Sequence, residues 1–171
     1  MNAALTYREG SLNDKEQLKK LALISYGQFS DVLTPENWAK MNESLHDESK
    51  LVELINNSIC YVCLREEEII GMAYFVPRGN PWGPFQTEWS YIRMVGVNPE
   101  YQGQGIAKTL TKMCIDRAKA TQEKIIALHT SEFMDAARHI YEGFGFKIMS
   151  EIEPRFGKKY WLYTLDINPL T

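Results

Sequence analysis

The sequence predicts an α/β fold: one mixed, mostly antiparallel central sheet flanked by helices on both faces, in a single domain over residues 1–171. Three observations predict it. Apolar residues recur at two-residue spacing in some stretches and at three- or four-residue spacing in others, in the order β-α-α-β-β-β-α-β-α-β-β. Hydrophobic residues make up 44% of the chain, enough for a substantial core. An apolar run ending Met94-Val95-Gly96-Val97 meets Asn98-Pro99 and then Gln102-Gly103-Gln104-Gly105-Ile106-Ala107, after which an amphipathic segment opens. That order is strand, glycine-rich turn, helix.

Each element has a local reason. Leu5 to Arg8 is a short first strand. Asn13 or Asp14 caps a helix whose Leu18, Leu21, Ala22 and Ser25 share one face, running to Phe29. Thr34 caps the next helix, with Pro35 in its first turn and Trp38, Met41 and Leu45 as its apolar stripe. A helical piece from Lys50 to Asn56 carries Leu51, Leu54 and Ile55. Ile59 to Leu64 and Ile69 to Val76 form a hairpin across the charged turn Arg65-Glu66-Glu67-Glu68. Prolines 77, 81 and 84 with Gly79 and Gly83 make the main loop. Glu88 to Val97 is a long strand leading into the glycine turn. The following helix buries Ile106, Leu110, Cys114 and Ala118. Ile125 to Leu128 is a strand, and Ser131 caps a helix bearing Ala137, Ile140, Tyr141 and Phe144. Gly145 ends that helix in a left-handed conformation. Phe146 to Glu153 and Lys159 to Asp166 are a last antiparallel pair around a Pro154–Gly157 loop.

Composition narrows the function. A net charge of −3 argues against nucleic acid as a partner, so any phosphate recognition is local. No apolar run approaches membrane-spanning length, and Met1 to Gly10 holds no secretory core. The cysteines, Cys60, Cys63 and Cys114, form no disulfide framework, which points to reduced thiols and a cytoplasmic setting. Cys60 and Cys63 stand three apart on a strand and so face opposite sides, which suits core packing and not a metal.

The glycine turn carries chemistry. Gly103 and Gly105 remove the Cβ atoms that would hold a ligand off the backbone. The first amides of the helix lack intrahelical partners, and the helix dipole adds positive potential. Phosphate or pyrophosphate suits that geometry. The pattern Gln-x-x-Gly-x-Ala after Val-Gly-Val-Asn-Pro-Glu resembles the acetyl-coenzyme A signature of the GCN5-related N-acetyltransferase (GNAT) superfamily. The block Ala137-Arg138-His139-Ile140-Tyr141-Glu142-Gly143-Phe144-Gly145-Phe146 resembles that family's later motif. Together the two blocks cover roughly the C-terminal half.

The resemblance implies acetyl-CoA as acyl donor and an amine as acceptor. The backbone from Gln102 through Gly103, Gln104, Gly105, Ile106 and Ala107 would hold the pyrophosphate, with Lys108 beside it. Val95, Gly96 and Val97 would take the pantetheine arm as a neighbouring strand does, one amide facing the oxyanion. Tyr141 matches the general acid that protonates the departing thiolate. Ala137 belongs to the same motif, and Met134 stands where the family often has an asparagine, which leaves an apolar contact to the arm. Glu88 matches a frequent place for the group that takes the amine proton. Ser131, His129 and Asp135 also invite a serine-nucleophile reading, but they lack the sequence of a nucleophile elbow.

The acceptor pocket is expected between the N-terminal helices and the Pro77–Pro84 loop. Trp82, Phe85, Trp89 and Tyr91 would wall it, with Asp31, Glu36 or Glu43 supplying negative charge for a cationic acceptor. Three functions remain open: acetylation of a small amine, acetylation of a protein amino group, or non-catalytic sensing of acyl-CoA. The oligomeric state is open too, a homodimer included.

Overall fold

The computed structural model describes residues 4–167. Its strands are β1 (Leu5–Glu9), β2 (Ile59–Arg65), β3 (Glu68–Val76), β4 (Ser90–Val97), β5 (Ile125–Ser131), β6 (Lys147–Arg155) and β7 (Lys158–Asp166). They form one open sheet in the order β1-β2-β3-β4-β5-β7-β6. Every neighbouring pair is antiparallel except β4 and β5. The helices are α1 (Lys15–Gly27), α2 (Pro35–His46), α3 (Glu48–Asn57), α4 (Ile106–Ala120) and α5 (Asp135–Gly143). No helix among the described residues is long and apolar enough to cross a membrane.

The period of two along the strands splits the core into two layers. On one face, Leu18, Leu21 and Ala22 of α1 and Leu54 and Ile55 of α3 pack on Cys60, Val62, Met72 and Tyr74. On the other, Ile106, Leu110, Cys114 and Ala118 of α4 and Tyr141 of α5 cover Cys63, Ala73, Phe75, Ile92 and Ile126. Cys60 and Cys63 therefore sit in opposite layers, as their spacing predicts. Gly71 sets the seat of α4: a Cβ there would stand 2.5 Å from Ile106 Cγ2, so only a bare backbone lets the helix start lie this close.

Several boundaries differ from expectation. β4 begins at Ser90 and not at Glu88, because Trp89 N donates to Gln86 O at 3.1 Å and turns the chain first. β5 runs on to Ser131, so α5 starts at Asp135; the Ser131 hydroxyl donates to Lys159 O at 2.7 Å and caps no helix. Ser11 and Asp14 form a capping box ahead of α1, which stops at Gly27. The β6–β7 hairpin closes through Phe156 and Gly157, at φ +55° and +73°, a two-residue turn whose left-handed residues match the strand twist. Thr34 caps α2 as expected, accepting from Asn37 N at 3.2 Å, and Gly145 has φ +99°.

Candidate active site

β4 and β5 pair only at Ser90–Ile126 and Tyr91–Ala127, and then diverge. The cause is local. Met94 has φ +51°, and the register with β3 shifts between Met72 and Tyr74, so β4 bends at a bulge. β5 keeps its ladder with β7. Beyond Tyr91 the edge of β4 that faces β5 is left without a strand partner, and a cleft of about 800 Å³ opens there. Ile92 to Val97 form one wall and Leu128 to Thr130 the other.

The glycine turn lies at one end of this cleft. Gly103 and Gly105 have φ +82° and +76°, and a Cβ at either would meet nothing within 4 Å. Glycine is needed there for the backbone conformation, and no side chain covers the turn. Among the described residues, no amide from Gly103 through Lys108 donates to a backbone acceptor; the first helical bond is Thr109 N to Gly105 O at 3.0 Å. A run of free N–H groups at a helix N-terminus fits a diphosphate. The Gln102 side chain donates to Gln28 Oε1 at 3.2 Å and ties the turn to the end of α1. Gln102, Gly103, Gly105, Ile106, Ala107 and Lys108 line the cleft, whereas Gln104 does not.

Val95, Gly96, Val97, Met134, Ala137 and Tyr141 line the same cleft. Tyr141 is 6% exposed. Burial, and behind it Tyr26 and Cys114, push its phenol well above the ordinary tyrosine range, so it stays protonated. Its hydroxyl makes no hydrogen bond among the described residues. Met134 takes a weak bond from Thr130 Oγ1, with sulfur and oxygen 3.5 Å apart, and offers the cleft a thioether in place of an amide.

Other expectations are not met by position. Glu88 stands exposed in the turn before β4 and is not part of the cleft wall, so its place does not support a proton-accepting role. The physical reason is the Gln86–Trp89 turn, which holds Glu88 outside the strand and delays its start to Ser90. Ser131 is buried with its hydroxyl engaged, and Asp135 is exposed, so no serine triad forms with His129. Trp82 lines the cleft, while Phe85 and Tyr91 stack on each other at 4.3 Å in the core beside buried Trp89. Asp31, Glu36 and Glu43 do not line it.

The end of the cleft away from the glycine turn holds residues that the sequence reading passed over. Arg93 of β4 lays its guanidinium over the Trp82 ring, 3.6 Å from the centroid. Arg155, at the tip of the β6–β7 hairpin, places Nη1 beside both ring nitrogens of His129. Burial lowers the His129 pKa to about 3, and Arg155 and Arg93 add to the shift. The ring is therefore neutral through the physiological range. Tyr26 of α1 completes this end, with a phenol raised to about 12 chiefly by burial.

The chain matches the model of the acetyltransferase (GNAT) family over residues 23–146. The chain belongs to this family. Its glycine turn and splayed strands thus belong to a chain of the GNAT acetyltransferase family. N-alpha-acetyltransferase 30 of Saccharomyces cerevisiae is 41% identical over 56 residues, 33% of this chain and 32% of that protein. N-acetylaspartate synthetase of Xenopus tropicalis is 29% identical over 96 residues, 56% of this chain and 33% of that protein. The matched stretches span about a third of the length of these curated relatives. Among solved structures, the yncA structure from Salmonella typhimurium with its cofactor acetyl-CoA superposes with a TM-score of 0.75 at 15% identity, covering 99% of this chain and 97% of that one. The paia N-acetyltransferase from Thermoplasma acidophilum, in complex with coenzyme A, gives 0.73 at 16% identity over 93% and 98%. At these identities the superpositions speak for the GNAT fold alone.

Proposed function

We propose that this GNAT acetyltransferase moves the acetyl group of acetyl-CoA to the primary amine of a small molecule, by direct attack in a ternary complex. One observation carries the reading: the unpaired edge of β4 leads from the free amides of the glycine turn to the Tyr141 hydroxyl within one cleft. The diphosphate docks on the amides of Gly103 to Ala107, with Lys108 beside it. The pantetheine arm lies along Val95 to Val97 as an added strand. The amine nitrogen then attacks the thioester carbonyl. A C–N bond forms, a β4 amide donates to the oxyanion, and the C–S bond breaks. The sulfur leaves with the electron pair and takes the Tyr141 proton.

The amine must arrive neutral. The cationic pair Arg93 and Arg155 disfavours a third positive charge nearby and so lowers the amine pKa in the cleft. His129 is neutral, but with a pKa near 3 it is too weak a base to take the amine proton. The amine proton therefore passes to water, and Tyr141 is reprotonated from water.

A small acceptor is favoured over a protein one because the aromatic side chains of Tyr26, Trp82 and Tyr160 line the cleft beside Arg155. The β6–β7 hairpin tip comes against α2 so closely that a Cβ on Gly157 would stand 2.6 Å from Asn37 Nδ2. The buried thiols of Cys60, Cys63 and Cys114 support a reducing, cytoplasmic setting. The test is thiol release from acetyl-CoA with a panel of small amines and peptides. Turnover confined to peptides would sink the small-molecule reading, and tight binding without turnover on any amine would favour a sensor.

A further inference from the structure

The two arginines that line the cleft beside Trp82 are out of keeping with a site for a plain cationic amine. Neither Arg93 nor Arg155 makes an ion pair among the described residues. Both address one indole: their guanidinium carbons lie 3.6 Å and 5.9 Å from the Trp82 ring centroid. Both line the cleft. Among the described residues Asp135 is the only carboxylate in its wall, and that residue is exposed, faces Arg138 at 3.7 Å and belongs to the first turn of α5. Holding two half-buried guanidinium groups together with no counter-charge is unfavourable, and burial together with Arg155 disfavours the charge on Arg93. An anionic ligand reverses that balance.

The anion is not a phosphate of the donor on this geometry. The free amides and Lys108 gather at the glycine turn, while Arg155 comes from the hairpin tip at the other end, beside Phe156. Arg93 lies two residues before Val95 on β4, across the bend at Met94. That spacing suits an acceptor whose anionic group sits within a few bonds of its amine. Two planar forks match a carboxylate edge to edge. The walls beside it, Trp82, Tyr26 and Tyr160, are aromatic and suit a compact acceptor.

We propose that Arg93 and Arg155 form an anion subsite that holds the carboxylate of an amino-acid acceptor, with its amine directed to β4 at Val95. The assignment rests on the acetyl transfer proposed above and adds the chemical class of its acceptor. His129 is a positioning residue there: it stands against the Arg155 guanidinium and fixes that group over the cleft.

The test compares free amino acids with their neutral amides, with simple alkylamines and with phosphoethanolamine, by thiol release from acetyl-CoA. Amino acids are expected to exceed their amides by about ten- to a hundredfold in kcat/KM, the worth of one charge-assisted contact. Arg155→Gln and Arg93→Gln are each expected to raise KM for the acid by a similar factor. Calorimetric affinity for acetyl-CoA should stay unchanged in both, which reports that they fold, and Arg155→Lys should restore part of the loss. Equal rates for acid and amide, or an Arg155→Gln enzyme indifferent to the acid, would overturn the subsite while leaving acetyl transfer intact. A preference for phosphoethanolamine over every carboxylate would overturn the carboxylate assignment. No turnover with any amine, neutral ones included, would remove the transfer reading and the acceptor assignment together.

Discussion

Nη1 of Arg155 lies 3.3 Å from Nε2 and 3.4 Å from Nδ1 of His129. Nearly equal distances to both ring nitrogens place the guanidinium against the imidazole, where its fixed positive charge disfavours a second one on the ring. A proton on that ring would face a fixed cation in a half-buried site. Burial is the larger reason that the His129 pKa falls from its ordinary 6.5 to about 3, and the charges of Arg155 and Arg93 add to it.

The shift has a consequence for stability. Between pH 6.5 and 3 the unfolded chain binds a proton at His129 that the folded chain refuses. Stability is unaffected above that window and falls as pH drops through it, by at most about 1.4 kcal/mol per pH unit. Two carboxyls are also depressed, Asp14 held down first by Arg8 and Asp47 first by Ser49, and their contributions are lost only below the ordinary aspartate value of 3.8. Urea unfolding at pH 7 and pH 4.5 therefore isolates the histidine. His129→Gln is expected to lose less stability between the two than the parent does. Equal losses would show that the ring titrates normally.

Gly105→Trp tests the cradle. The φ of +76° disfavours any residue with a Cβ, at about 1–2 kcal/mol, yet the space around it is open, so the variant should fold. Its indole would stand where a diphosphate has to approach. Each lost amide contact is worth about 1.5–3 kcal/mol, so acetyl-CoA affinity is expected to fall at least about a hundredfold in calorimetry. A folded variant with unchanged affinity would mean that the diphosphate binds elsewhere.

The element order and the strand–glycine turn–helix passage were legible in the sequence because each depends on spacing within one short stretch, and the same spacing puts Tyr141 on the buried side of α5. The charged end of the cleft was not. Arg93, His129 and Arg155 lie on β4, β5 and β6, and only the strand order β4-β5-β7-β6 brings them together. A faint signal existed: Arg93 interrupts the apolar run Tyr91-Ile92 to Met94-Val95, where a strand centre rarely spends a charge. Glu88 was misplaced for a related reason. Trp89 continues the apolar pattern of β4, and periodicity cannot see that its amide closes a turn onto Gln86. The acidic residues expected around the acceptor lie on α2 and the segment before it, and they point their charge elsewhere than the cleft.

Arg78 pins the long loop that carries Trp82. Glu123, 2% exposed, accepts from both the backbone N–H and the guanidinium of Arg78. Arg78→Ala would leave that carboxylate buried with its side-chain partner gone, a loss of about 1–3 kcal/mol after allowing for the half-exposed arginine. The expected result is a lower urea midpoint at pH 7, with part of the loss recovered in Arg78→Ala/Glu123→Gln. A double variant no more stable than the single one would show that the stranded charge is not the cause.

Tyr141→Phe separates proton donation from packing. The ring fills space between α4 and α5 against Phe146, 6.0 Å between centroids, and phenylalanine keeps that contact. Only the hydroxyl is lost, and no hydrogen bond among the described residues goes with it, so folding should be little affected. A thiolate leaving group has an ordinary pKa near 8.5, so it needs modest proton help, and kcat is expected to fall about ten- to a hundredfold. Affinity for acetyl-CoA should hold, since the donor is gripped by backbone. The parent phenol is raised so far that it stays protonated below pH 10, and kcat should show no alkaline loss from it in that range. Matching losses in kcat and in donor affinity would assign Tyr141 to packing beneath the cofactor, and proton delivery to the thiolate would fall to water.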